Sequence, residues 1–79
     1  MEKITEQGLL DVLADFDELG GASVGLVAWE LFCTEADVSE AWSVAVAAGW
    51  LAPAARDDVY GERLWRLTPE GWLARQAIL

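Results

Sequence analysis

The stretch TEADVSEAWSVAVAAGWL, Thr34 to Leu51, decides how the rest of this chain is read. Thr34 followed three residues later by Asp37 is a capping-box-like helix start. The threonine oxygen takes up an orphan backbone N–H, and the carboxylate sits at the positive end of the helix dipole. A helix is expected from Glu35. Val38, Ala41, Trp42 and Ala45 recur at the i, i+3, i+4, i+7 spacing of one buried stripe, and Gly49 offers a left-handed stop, so the helix should end near Ala48.

Upstream, Ser23 is a good N-cap for a helix running to about Leu31, with Val24, Val27, Ala28, Leu31 and Cys33 inward. Before it, Gly20-Gly21 breaks a helix expected over Glu6 to Leu19, whose apolar side is Leu9, Val12, Leu13, Phe16 and Leu19. Its other side carries Asp11, Asp15 and Glu18 with Asp17 nearby, a strip that reads first as a solvated face and otherwise as bait for a basic partner. Downstream, Trp50 to Pro53 reads as a strand that proline ends or keeps at an edge. Ala54 to Glu62 follows as a polar tip, then a second strand over Arg63 to Leu67 with Trp65 and Leu67 inward and Leu64 and Arg66 outward. Thr68-Pro69-Glu70-Gly71 starts a last helix carrying Trp72, Leu73, Ala77, Ile78 and Leu79.

That order, SVGLVAWELFCT as a helix and tight turn, then the Thr34 helix, AGWL, a polar hairpin and LTPEG, resembles the winged helix-turn-helix family, in particular bacterial regulators of the multiple-antibiotic-resistance type. The resemblance covers almost the whole chain and implies a mainly α fold with a small β-hairpin: a three-helix core, a two-stranded wing and a C-terminal helix. It also implies DNA binding through the Thr34 helix and the wing, with terminal helices that often dimerise.

Seventy-nine residues make a single domain, residues 1–79, that buries only about two-thirds of its extended surface. The chain is 54% hydrophobic and holds five tryptophans, more than so small a core needs, so part of that surface is expected to meet a partner. Charged residues interrupt every apolar run before it could span a bilayer, and MEKITEQ lacks a signal-peptide pattern, so a cytoplasmic protein with no membrane role is expected. One cysteine excludes an internal disulfide, and Cys33 reads as a small core residue. With no histidine, no phosphate loop and no base-nucleophile pair, no enzyme, cofactor or metal is expected. Asp57 and Asp58, adjacent acids on a turn, read as solvated.

Charge separates this chain from the DNA-binding pattern. Residues 1–55 hold ten acids against Lys3 alone, while residues 56–79 hold four of each sign, so the helical half carries the net −9. Where DNA-binding members of the resembled family typically offer arginine, lysine, serine or glutamine, the Thr34 helix presents Glu35, Asp37, Ser39, Glu40, Ser43, Val44 and Ala47, with no cation from Thr34 to Leu51. Binding to phosphates gains from counterion release, and an unpaired carboxylate held against them adds repulsion instead.

Three functions remain. The favoured one is a non-enzymatic, regulatory module that docks onto a protein, one with basic character being favoured by the charge, through Leu26, Trp29, Phe32, Glu35, Glu40 and Val44. Against it stands the reading in which Leu26 or Trp29 simply completes the core. The second is a small dimeric transcriptional regulator contacting DNA through Ser39, Ser43, Arg56, Arg63 and Arg66, although local ion pairing is the plainer role for those arginines. The third is an acidic mimic that blocks the nucleic-acid site of a basic partner. The apolar last helix is a candidate for self-association, or else packs back on the first helix.

Overall fold

In the computed structural model, which describes residues 4–78, the chain runs as helix α1 (Glu6–Asp15), a 3₁₀ turn (Asp17–Leu19), helix α2 (Val24–Glu30), helix α3 (Glu35–Ala47), strands β1 (Leu51–Asp57) and β2 (Arg63–Leu67), and helix α4 (Pro69–Ile78). It is mainly helical with one two-stranded antiparallel sheet. Lys3, counted above with the charges, and Leu79, assigned above to the last helix, lie outside the described residues. Among the described residues no helix is long and apolar enough to cross a membrane.

The third helix begins where its capping box says it should. The Asp37 N–H donates to Thr34 Oγ1 at 3.2 Å, and the Thr34 N–H donates to Asp37 Oδ2 at 3.0 Å. Those contacts hold the Asp37 carboxyl below its ordinary pKa, chiefly through the Thr34 backbone N–H. Val38, Ala41, Trp42 and Ala45 are buried, as their spacing predicts.

Helix α1 is the centre of the molecule and packs against α2, α3, α4 and β2. Being covered on several sides, it buries Leu10 as well as Leu9, Val12 and Leu13, a broader face than one stripe. Leu19 is a correction to the sequence reading. The α-helix ends at Asp15 and tightens into the 3₁₀ turn, so Leu19 swings out and is 64% exposed. The acidic side of α1 is also more than a solvated face. Asp11 holds Arg75 of α4 at 2.8 Å, and Asp17 holds Arg66 of β2 at 3.1 Å.

Strand β2 has neighbours on both edges, β1 on one and Ala22 on the other. Ala22 and Trp65 exchange both backbone hydrogen bonds at 2.9 Å. Gly21 makes that approach possible, because its φ is +109° and a β-carbon there would collide with the Trp65 carbonyl. Since the Trp65 N–H and C=O both point to Ala22, Pro53, which sits opposite Trp65 on β1, faces no donor or acceptor of that residue. Proline therefore ends nothing, and β1 continues to Asp57, shrinking the polar tip to residues 58–62. Leu64, expected to face outward, is buried, because that side of the sheet is not bare: Phe16 and Leu26 lie there and line a shallow hollow with it. On the other side Trp65 meets Trp42 edge to face, with centroids 6.0 Å apart.

Helix α4 packs back onto α1, with Trp72 half-buried against the core. Its cap, Thr68, accepts from the Gly71 N–H and donates to the Gly49 carbonyl at 2.6 Å. Leu73 points out at 66% exposure.

Candidate functional site

Helix α2 ends in a Schellman motif: the Phe32 N–H donates to the Trp29 carbonyl at 3.2 Å, and the Cys33 N–H to the Ala28 carbonyl at 3.0 Å. The motif needs a left-handed residue at the position of Phe32, and Phe32 takes φ +55°, the one non-glycine residue with positive φ among those described. Helix α3 closes the same way, through Gly49 N–H to Val46 and Trp50 N–H to Ala45, but with glycine at φ +78° in the strained place. A bulky side chain is rare there. The Phe32 ring does not compensate by packing, since the residue is 92% exposed, and Trp29 one turn earlier is 79% exposed. Of the residues set out above as a docking face, Leu26 is half-buried against the core, while Trp29, Phe32, Glu35, Glu40 and Val44 are exposed. The expectation that Cys33 is interior is corrected to half-buried.

The hairpin tip joins this face from a distant part of the sequence. Asp58 Oδ1 accepts from the backbone N–H groups of Tyr60 (2.8 Å) and Glu62 (2.9 Å), the side-chain turn that aspartate commonly makes. Its other oxygen accepts from Ser23 Oγ at 2.9 Å, while Ser23 itself caps α2 by accepting from the Leu26 N–H at 3.2 Å. Ser23 is fully buried, so one hydroxyl fixes both the start of α2 and the position of the hairpin tip. The Asp58 carboxyl is held below its ordinary pKa, first by the Glu62 N–H and then by Ser23 and the turn amides. Asp58 is thus a structural acceptor rather than a solvated acid, and Asp57 beside it pairs with Arg63 at 3.0 Å.

This tether leaves an open hollow of about 530 Å³ between α2, the first turn of α3 and the hairpin tip. Gly25 lies at its floor, and its walls are Leu26, Trp29, Glu35, Asp58, Tyr60 and Glu62. Glu35 and Glu62 both bring a carboxylate oxygen within 3.6 Å of the place a β-carbon on Gly25 would occupy. The hollow unites Leu26, Trp29 and Glu35 of the predicted docking residues; Phe32, Glu40 and Val44 lie outside its lining. From sequence, Tyr60 has no assigned role and Glu62 only that of a local ion-pair partner for the hairpin arginines. The visible signal was an aspartate three residues before Gly61, which marks a tight turn and so leaves Tyr60 projecting.

The residues expected for DNA contact do not come together as a cationic surface. Ser39 and Ser43 are exposed on α3, and the Ser39 hydroxyl turns back to the Ala36 carbonyl. Arg63 reaches both Asp57 and the Ala54 carbonyl at 2.8 Å, stapling the stretch where three residues of β1 face Leu64 alone. Arg66 is committed to Asp17, and Arg56 lies beside Gly20 on the far side of the hairpin tip. Among the described residues no three cysteine, aspartate or glutamate side chains gather as a metal ion would require. Compared with models of protein families, with curated proteins and with solved structures, the chain matches none.

Proposed function

We propose that this chain is a non-enzymatic module of winged-helix type that acts by docking onto another protein, with the end of α2, the Phe32 turn and the hollow beside them as its contact face. The observation that carries the reading is a pairing of opposites. Two large aromatic side chains stand in solvent at Trp29 and Phe32, while two of the three arginines that could have served nucleic acid, Arg63 and Arg66, are engaged by Asp57 and Asp17, and the third, Arg56, lies apart beside Gly20. Aromatic side chains bury on the order of 150–250 Å² each, so covering each would contribute roughly 4–6 kcal/mol before the costs of association. A backbone in the left-handed region at an exposed aromatic is the kind of strain that persists where a side chain is needed in one place.

The order of elements, helix, helix, turn, helix, hairpin, helix, supports the winged-helix part of the proposal. The charge supports the choice of protein over DNA: the outward side of α3 carries Glu35 and Glu40 and no cation, and the chain as a whole is −9. Fluorescence anisotropy against a short random-sequence duplex tests this directly. No binding is expected at moderate salt. Saturable binding that weakens with a log–log salt slope of several phosphates would refute the proposal.

A further inference from the structure

The hollow at the hairpin tip has features that together select its occupant. Its aromatic residues, Trp29 and Tyr60, are 79% and 87% exposed and line one space. Glu35 and Glu62 converge over Gly25 between them, and no arginine or lysine lines the space. Of the other arginines, Arg63 is held by Asp57, Arg66 by Asp17 and Arg75 by Asp11, while Arg56 lines the neighbouring hollow and not this one. Asp58 is already saturated by Ser23, Tyr60 and Glu62, so it shapes the wall and leaves Glu35 and Glu62 as the acceptors. Among the described residues, Glu62 has one long contact from the Gly25 N–H at 3.4 Å, and Glu35 meets no cation.

From this geometry we infer that the hollow receives an arginine side chain from a partner protein. A planar guanidinium stacks on an aromatic face and presents donors on two edges, so it can lie against Trp29 or Tyr60 while donating to Glu35 and Glu62 together. A lysine ammonium, a compact and strongly hydrated charge, uses the carboxylates but gains less from the rings. A neutral or acidic side chain leaves two like charges facing one another across an unfilled space. The space is open to solvent, which suits a side chain entering from a peptide lying across the face, and Leu26 lines both this hollow and the one beside it, where Phe16, Leu19 and Val59 offer apolar surface to flanking residues.

The inference rests on the docking reading and names the chemistry of its partner. Its test is a two-dimensional NMR titration of the intact chain with the capped peptide Gly-Gly-Arg-Gly-Gly, the same peptide with citrulline, which keeps the shape and loses the charge, and the same with lysine. The arginine peptide is expected to give saturable shifts confined to the Trp29 indole N–H and the amides of Gly25, Glu35, Tyr60 and Glu62. Citrulline should bind about tenfold or more weakly, as expected when the hydrogen bonds to Glu35 and Glu62 lose their charge assistance, with lysine between them. Glu35→Gln and Glu62→Gln, both at exposed positions, should each weaken the arginine peptide with little change in melting temperature, and the double variant should abolish the difference from citrulline.

Equal shifts from citrulline and arginine, shifts scattered over the acidic surface, or no shifts at all would overturn the arginine assignment. The same titration with a short duplex DNA separates that failure from failure of the docking reading. Shifts on Ser39, Ser43 and Arg56 with DNA would sink the reading itself, whereas silence with both DNA and arginine peptide removes only the arginine.

Discussion

Replacing Phe32 by glycine should stabilise this protein, although it deletes one of only two phenylalanines. Three contributions decide the sign. Holding a non-glycine residue in the left-handed region costs on the order of 1–2 kcal/mol, which glycine does not incur. Against that, glycine adds about 0.4–1 kcal/mol of unfolded-chain entropy that must be lost on folding. The ring is 92% exposed, so the packing lost amounts to only a few tenths of a kcal/mol at ~25 cal/mol per Å². The sum favours the variant by roughly 0.5 kcal/mol, or about 2–4 °C in midpoint for a domain of this size. Phe32→Asn, which tolerates the left-handed region without glycine's entropy, should gain at least as much. The converse substitution supplies an internal standard: Gly49 holds the same Schellman position on α3 with nothing within 4 Å of a would-be β-carbon, so Gly49→Ala should lose about 1 kcal/mol for backbone reasons alone. Urea and thermal unfolding followed by circular dichroism read all three. A Phe32→Gly variant less stable by 1 kcal/mol or more would mean that the ring packs on its own chain, and the proposed docking face would lose its most exposed apolar residue.

Two other predictions concern the Ser23–Asp58 tether and the two carboxyls held below their ordinary pKa, Asp58 and Asp37. Ser23→Ala removes an N-cap and a buried hydroxyl, and should destabilise by about 1–2 kcal/mol. Hydrogen exchange at the Leu26, Tyr60 and Glu62 amides should rise together, and an increase at Leu26 alone would refute a shared tether. On acidification, Asp58 and Asp37 both have folded pKa values below the ordinary 3.8, so the unfolded chain takes up their protons first. Their stabilisation is therefore complete above about 3.8 and disappears as pH falls through the lower folded values. Because protonating other carboxylates also relieves the self-repulsion of a −9 chain, the quantity to measure is the difference between wild type and the Asp37→Asn, Asp58→Asn double variant, which should shrink only below that pH. A constant difference down to pH 2 would refute it.

Helix boundaries were legible wherever a local device sets them. The Thr34–Asp37 box, the Ser23 cap, Gly49 and Thr68-Pro69 each act over a few residues, so a local reading finds them. Leu64 was misjudged because strand alternation assumes one covered face, whereas this small sheet has Trp42 on one side and the end of α1 on the other. The burial of Leu10 does not show in a single-stripe pattern because a helix at the centre of a bundle buries more than one stripe. Asp11 and Asp17 read as solvent-facing because their partners, Arg75 and Arg66, lie 64 and 49 residues away in the chain. The hollow shares that cause: four of its lining residues come from residues 25–35 and three from residues 58–62, and only the fold brings them side by side.

The distribution of positive charge follows from the same long-range pairing and bears on how a partner would be met. Arg63, Arg66 and Arg75 are each spent within the chain, one stapling the irregular stretch of β1 and two tying β2 and α4 to the α1 segment. Each pair is partly exposed, so its contribution to stability is small, on the order of 0–1 kcal/mol. Its consequence for recognition is larger. Pairing neutralises Asp57, Asp17 and Asp11 where they stand and leaves the unbalanced charge concentrated at other carboxylates, Glu35 and Glu62 at the hollow among them. A basic partner would then be drawn at long range by the whole −9 and oriented at short range by those carboxylates, between walls that the Ser23–Asp58 bond has already fixed. Weakening that tether should therefore reduce affinity for an arginine peptide without altering the overall charge that attracts it.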